Sequence, residues 1–176
     1  MYILFVSDYL IEDIKEKDIY NCYLLNESNT PNVGSETFKN FTNLIENADL
    51  KLCVKDNKVI AFAVCFTDSP KTTSYLNSIN HMNFKQLKKM VKNFVYIDRI
   101  AVDDKYRNLG IGSDLYKKIF QYGKAQNLSA VTAEINYKPI ENETSFKFHR
   151  KHNFKEIAIK KYSNKYEVSF QKSNIN

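Results

Sequence analysis

The amino-acid sequence predicts a mixed α/β fold on a central, mostly antiparallel sheet, and three observations carry that reading. Leu50 to Lys55 with Lys58 to Phe66, and Lys155 to Lys161 with Lys165 to Lys172, are pairs of β-prone runs. Each pair is joined by a tight polar turn, Asp56-Asn57 or Ser163-Asn164, which predicts an antiparallel hairpin. Between them, Phe94 to Val102 and Ser129 to Asn136 flank an amphipathic helix, and a strand, helix, strand crossover makes its two strands parallel. The 176 residues, 43% hydrophobic, suffice for a single domain, 1–176, with a real core.

The first strand is expected at Tyr2 to Val6 or, better, at Tyr9 to Ile14. From Glu16, Ile19, Cys22, Tyr23 and Asn26 follow helical spacing, and Thr30-Pro31-Asn32 stops that helix. Ser35 is the expected cap of a second helix, whose stripe is Phe38, Phe41, Ile45 and Ala48. After the first hairpin, Asp68 to Asn83 reads as a polar, irregular excursion suited to a substrate-side lid, and Phe84, Leu87, Val91 and Phe94 return to helical spacing. The crossover helix turns Leu115, Tyr116, Ile119 and Phe120 inward, with Gly112 and Gly123, and Lys117 and Lys118 outward. In the next strand, alternation sets Val131, Ala133 and Ile135 against Thr132, Glu134 and Asn136. A helix from about Glu143 to His152 leads to the final hairpin.

Composition excludes several classes. No apolar run approaches the ~20 residues needed to span a membrane, and Met1 to Val6 is too short for a signal sequence, so a cytoplasmic protein with no membrane partner is expected. Cys22, Cys53 and Cys65 have neither metal-type spacing nor an even count, so they read as core residues and no metal is expected. The formal charge of +6 is scattered and lacks any nucleic-acid-binding motif, which disfavours DNA or RNA but would attract a small anion. A homodimer is left open.

The stretch Phe94 to Phe120 organises the chain: an apolar strand, the turn DDKYRNLGIG, then a helix. A helix start presents unpaired N–H groups and the positive end of the macrodipole to an anion. Gly110 and Gly112 permit close backbone approach, Asn108 tolerates positive φ, and Arg107 adds a planar cation. The run is not a Walker loop, because Ile111 rather than Lys follows Gly110, and it is not a dinucleotide fingerprint, because Leu115 stands where a third glycine belongs.

Arg107-x-x-Gly110-x-Gly112 between strand and helix resembles the coenzyme A loop of the GNAT superfamily of acyl-CoA-dependent N-acyltransferases. Asn142-x-x-Ser145-x-x-Phe148-His149-x-x-x-Asn153-Phe154 is similar to that family's downstream pattern, although His149 stands where a Tyr is usual and Asn153 where a Gly is usual. The order of elements over roughly residues 9–172 resembles the complete fold. Tyr96-x-Asp98-Arg99-Ile100-x-Val102, Glu134-x-Asn136-x-x-Pro139 and Phe148-His149 look like one bacterial subgroup.

The resemblance implies helices on both sheet faces and parallel fourth and fifth strands that part near Ile100 to Val102 around acyl-CoA. The pantetheine arm would then bond to the backbone of Ile100, Ala101 and Val102. The pyrophosphate would sit on Leu109, Gly110, Ile111, Gly112 and Ser113, near Arg107 and Asn108, with Asn142 and Ser145 on the pantetheine side.

An alkylammonium with a pKa near ~10 must lose a proton before it attacks a thioester, so such a site needs a base. Glu134 and Asp98 are the candidates, and an ion pair with a neighbouring Arg or Lys is the plain alternative for Asp98. A backbone N–H near Ile100 or Ala101 would stabilise an oxyanion. His149 either protonates the departing thiolate or fills space, while His81 and His152 read as surface or packing residues. Tyr75, Tyr96 and Tyr137 line an acceptor pocket or belong to the core. The expected activity is transfer from acetyl-CoA to a primary amine of a small molecule or peptide; the alternative is a non-catalytic acyl-CoA-binding regulator.

Overall fold

The computed structural model describes residues 9–176. Its seven strands are β1 (Leu10–Asp13), β2 (Leu50–Asp56), β3 (Lys58–Thr67), β4 (Phe94–Val102), β5 (Ala130–Lys138), β6 (Lys155–Lys161) and β7 (Glu167–Asn174). They form one sheet in the order β1-β2-β3-β4-β5-β7-β6, with every neighbouring pair antiparallel except β4 and β5. Tyr9 to Ile14 thus holds the first strand, and the other option, Tyr2 to Val6, lies outside the described residues.

Six helices cover the sheet: α1 (Glu16–Ser28), α2 (Phe38–Asn47), α3 (Pro70–Ser78), α4 (Met82–Met90), α5 (Ile111–Ala125) and α6 (Glu143–Lys151). The alternation of β3 and β4 explains the layering. Phe62, Phe66, Phe94 and Tyr96 face one core with Ile19, Phe41, Leu76 and Phe84 from α1 to α4. Ala61, Val95 and Val131 face the other, with Leu115 and Ile119 from α5 and with Phe148 from α6.

Two helical details differ from the sequence reading. Thr37, not Ser35, caps α2 by accepting the Asn40 N–H, because the Ser35 hydroxyl is spent on Glu27. The Asp68 to Asn83 excursion holds the short helix α3 rather than irregular chain, while the helical spacing expected from Phe84 is α4, which ends before Val91 and Phe94. Ser69 caps α3 with Pro70 in the first turn, a start that needs no apolar stripe. Asp49 fastens α3 to the sheet: its Oδ2 accepts from Thr67 N (2.7 Å), Thr67 Oγ1 (2.9 Å) and Thr72 Oγ1 (2.7 Å). Asp68 closes the excursion by accepting from the N–H groups of Asn93 and Phe94.

The site is set by β4. Val64 opposes Arg99 and Cys65 opposes Ile97, so Asp98 is a bulge without a partner. The bulge inverts the alternation. Before it Tyr96 faces the first core and Ile97 the second; after it Ile100 faces the second and Ala101 the first. Parallel pairing with β5 ends at Ile97 and Ala133, and the remaining halves of both strands diverge. The opening therefore starts earlier than Ile100.

Asp49→Ala should cost roughly 2 kcal/mol or more, the loss of hydrogen bonds to a charged acceptor, read from the urea midpoint. Thr72→Val should cost less, and added to Asp49→Ala it should add almost nothing.

Candidate active site

The diverging halves of β4 and β5 open into a cavity of about 1200 Å³. The 29–36 loop after α1, the turn between α3 and α4, the 107–113 loop and the start of α6 complete its walls. Asp98, Ile100 to Val102, Glu134, Asn142, Ser145 and His149 all line it, so residues far apart in sequence meet in one place. So do Arg107, Asn108 and Gly110 to Ser113, whereas Leu109 is 39% exposed and is not part of the wall.

One end is built from backbone. Asn108 has φ +64 and Gly110 φ +89, conformations that turn the chain sharply into α5. The N–H groups of Asn108 to Ser113 have no partner among the described residues, and the first intrahelical bond is Asp114 N to Gly110 O. This end can hold a diphosphate. Gly112 serves packing as well: a Cβ there would lie 3.2 Å from Cζ of Phe148 on α6. Nη2 of the Arg107 guanidinium is engaged by Asn29 Oδ1 (2.8 Å) and Asp104 Oδ1 (2.7 Å).

The other end is polar and buried. Glu134 Oε1 accepts from the Tyr96 hydroxyl (2.9 Å) and Asn83 Nδ2 (3.1 Å), while Oε2 has no partner. Burial, and then the Asp98 charge, push Glu134 up to about 7. Asp98 differs. His81 Nε2 lies 2.7 Å from its Oδ1, and Arg99 Nε lies 3.2 Å from its Oδ2, at ion-pair distance but off hydrogen-bond geometry. Burial works to raise Asp98, yet the His81 contact and the Arg99 charge hold it below the usual carboxylate range. Arg99 continues to Asn26 Oδ1, Gly34 O and Glu36 Oε1, tying the 29–36 loop to β4.

Among the described residues, five buried side-chain polar atoms have no hydrogen-bond partner: Asn83 Oδ1, Asp98 Oδ2, Arg99 Nε, Glu134 Oε2 and Tyr162 Oη. The first four belong to residues lining this end of the cavity. Two of the four, Asp98 Oδ2 and Arg99 Nε, lie 3.2 Å apart as an ion pair, which leaves Asn83 Oδ1 and Glu134 Oε2 able to take a further hydrogen bond.

His149 has a different environment. Its Nδ1 lies 2.8 Å from the Ser145 carbonyl oxygen, which can only accept, so Nδ1 carries the proton, and Nε2 accepts from the Tyr116 hydroxyl (2.8 Å). Burial pushes it down to about 4, leaving a neutral ring whose single proton is committed to its own helix. Asn142 caps α6 by accepting the Ser145 N–H at 3.0 Å. Asn153 takes φ +61 just past α6, a conformation glycine adopts freely and Asn tolerates.

Of the tyrosines, Tyr96 reaches the site through its hydroxyl, while Tyr75 packs on Phe66 and Tyr137 on Phe146. His152 packs between Tyr116 and Phe148. Sequence reasoning missed His81, Asn83 and Tyr166 as site residues. His81 as the cap of α4 was the available signal, since its ring accepts the Phe84 N–H.

The acetyltransferase (GNAT) family pattern matches residues 17–154. The chain belongs to the GNAT acetyltransferase family. Solved structures share the fold at low identity. Ard1 from Thermoplasma volcanium superposes with a TM-score of 0.74 at 18% identity, covering 96% of this chain and 98% of that one. An N-acetyltransferase from Staphylococcus aureus gives 0.70 at 21%, with 97% and 100% covered. The ribosomal-protein-S18-alanine N-acetyltransferase of Escherichia coli gives 0.70 at 15%, with 96% and 95% covered. No curated protein matches in sequence. As a GNAT member the protein is an acyl-CoA-dependent transferase with acetyl-CoA as co-substrate, and no helix among the described residues is long and apolar enough to cross a membrane.

Ser113→Asp should weaken coenzyme A binding at least ~10-fold by calorimetry, because a carboxylate in the first turn of α5 competes for the seat. The same charge suits a helix N-terminus, so the melting temperature should not fall.

Proposed function

We propose that this GNAT protein transfers an acetyl group from acetyl-CoA to a primary amine by direct attack, with Glu134 as general base. The observation that carries the reading is the unpartnered, buried Glu134 Oε2 in a cavity whose other end is a row of free backbone N–H groups. The diphosphate rests on the 110–113 backbone, and the pantetheine arm lies along the β4 edge at Ile100 to Val102, which β5 no longer pairs. Acetyl-CoA supplies an activated acyl thioester. Asn83 Oδ1 and Glu134 Oε2 are acceptors without donors, and Asp98 Oδ2 has only its ion pair with Arg99, a set complementary to an incoming ammonium.

Glu134, poised near neutrality, takes the ammonium proton at Oε2, while Tyr96 and Asn83 hold Oε1. Asp98 stays ionised as a fixed charge rather than a base. His149 positions α6 and gives no proton; Ser145, whose N–H Asn142 caps, holds it from the same helix start.

The acceptor is a small-molecule amine or an exposed peptide amine. The E. coli neighbour is named for the alanine of a ribosomal protein, so N-terminal peptides belong beside polyamines, amino acids and aminoglycosides in a coenzyme A release screen. In that screen Glu134→Gln should lower kcat by roughly 10²-fold or more with little change in acetyl-CoA affinity. Since only the carboxylate accepts a proton, wild-type kcat should rise with pH through a midpoint near 7 and then level. A fully active Glu134→Gln enzyme would remove Glu134 as the base. Release from no amine would favour a non-catalytic acyl-CoA-binding regulator.

His149→Phe should keep more than about a third of wild-type kcat with an unchanged pH profile, because a neutral packed ring supplies shape. A loss of 10²-fold or more would restore the acid role.

A further inference from the structure

We propose that His81 is a positioning residue for this reaction: from the turn between α3 and α4 it holds the Asp98 carboxylate beside Glu134, and Asp98 in turn governs when Glu134 releases its proton. The inference rests on Glu134 being the base.

The turn is a firm platform. His81 N donates to Leu76 O at 2.9 Å, and Lys88 Nζ on α4 donates to Thr73 Oγ1 on α3 at 2.8 Å. Leu76 and Phe84 are fully buried on either side of it. From this platform His81 Nδ1 accepts the Phe84 N–H (3.3 Å), so its lone pair is used as the helix cap and Nε2 bears the proton that Asp98 Oδ1 receives at 2.7 Å. Two residues on, Asn83 donates to Glu134 Oε1 and to the Tyr166 hydroxyl. One helix start therefore grips both Asp98 and Glu134.

The groups facing Glu134 can be named from every element packed there. They are Tyr96 and Asp98 from β4, His81 and Asn83 from the start of α4, and Tyr162 and Tyr166 from the end of the last hairpin. Arg99 stands behind Asp98. Burial lifts all three tyrosines, Tyr162 to about 12, so they stay neutral. Asp98 is left as the anion that acts on Glu134, its Oδ1 held by the His81 N–H. Burial opposes a second proton on His81 and the Asp98 bond and charge favour one, but that proton would have to displace the Phe84 N–H from Nδ1. Removing His81 leaves Arg99 to keep Asp98 ionised and exposes Glu134 to more of its field. Removing the Asp98 charge relieves Glu134.

The test is a pH titration of protein labelled with ¹³C at the glutamate side-chain carboxyl, with the Glu134 signal identified by its loss in Glu134→Gln. His81→Phe should raise the Glu134 midpoint by about one unit, and Asp98→Asn should lower it by a similar amount. His81→Gln, whose amide can still donate to Asp98, should stay within about 0.3 unit of wild type. With any amine accepted in the screen, the pH limb of kcat should move with these midpoints while KM for acetyl-CoA stays fixed. A merely structural role moves neither in opposite directions. An unmoved Glu134 midpoint in His81→Phe, or in Asp98→Asn should the Phe variant not fold, overturns the proposal, as does a shift of the same sign in both. Because the titration needs no acceptor, an active Glu134→Gln enzyme would defeat the base assignment without deciding the fate of His81.

Discussion

The bulge at Asp98 is the constraint on which the site depends. In regular strand alternation Asp98 and Arg99 would project to opposite faces of the sheet. The unpaired residue instead sends Asp98 and Arg99 to the same side as Tyr96, and pairing between β4 and β5 stops one residue before it. A single irregularity therefore opens the sheet and brings an ionised carboxylate, its cation and the hydroxyl that holds Glu134 to the mouth of the opening.

The two ends of the cavity solve opposite problems. In the proposed placement of acyl-CoA, the 108–113 end would meet a strongly charged diphosphate with neutral backbone, at the N–H groups of a helix start. The Glu134 end buries groups whose hydrogen-bonding capacity exceeds what the protein supplies, at a cost of order 1–3 kcal/mol for each unsatisfied group. Such a cost persists where a ligand removes it. The same burial that leaves Glu134 Oε2 alone raises its proton affinity toward neutrality, so desolvation both shapes this end of the cavity and tunes the proposed base.

Much of this was legible in the sequence. Hairpins announced by Asp56-Asn57 and Ser163-Asn164, and the crossover around Gly110, fix the sheet, because turn chemistry and alternation are local signals. Two carboxylates and the glycine loop could be placed on one cleft through a family resemblance that two motifs carried. What stayed hidden was not local. The helix α3 has a polar sequence and is held by Asp49 and its own cap rather than by an apolar stripe, so periodicity passed over it. His81 and Asn83 matter only because the fold lays them against β4 and β5. Likewise the Tyr116 hydroxyl and the Ser145 carbonyl decide the state of His149, and no spacing rule reports such contacts.

The central claim is that one continuous cleft receives acyl-CoA, phosphates on the backbone loop and the thioester toward Glu134. Titrating ¹⁵N-labelled protein with coenzyme A and following backbone amides tests it most directly. The account predicts that the amides of Asn108 to Ser113 and of Asp98 to Val102 shift together, with one dissociation constant. Shifts confined to other surfaces, with these amides unmoved at saturation, would contradict it.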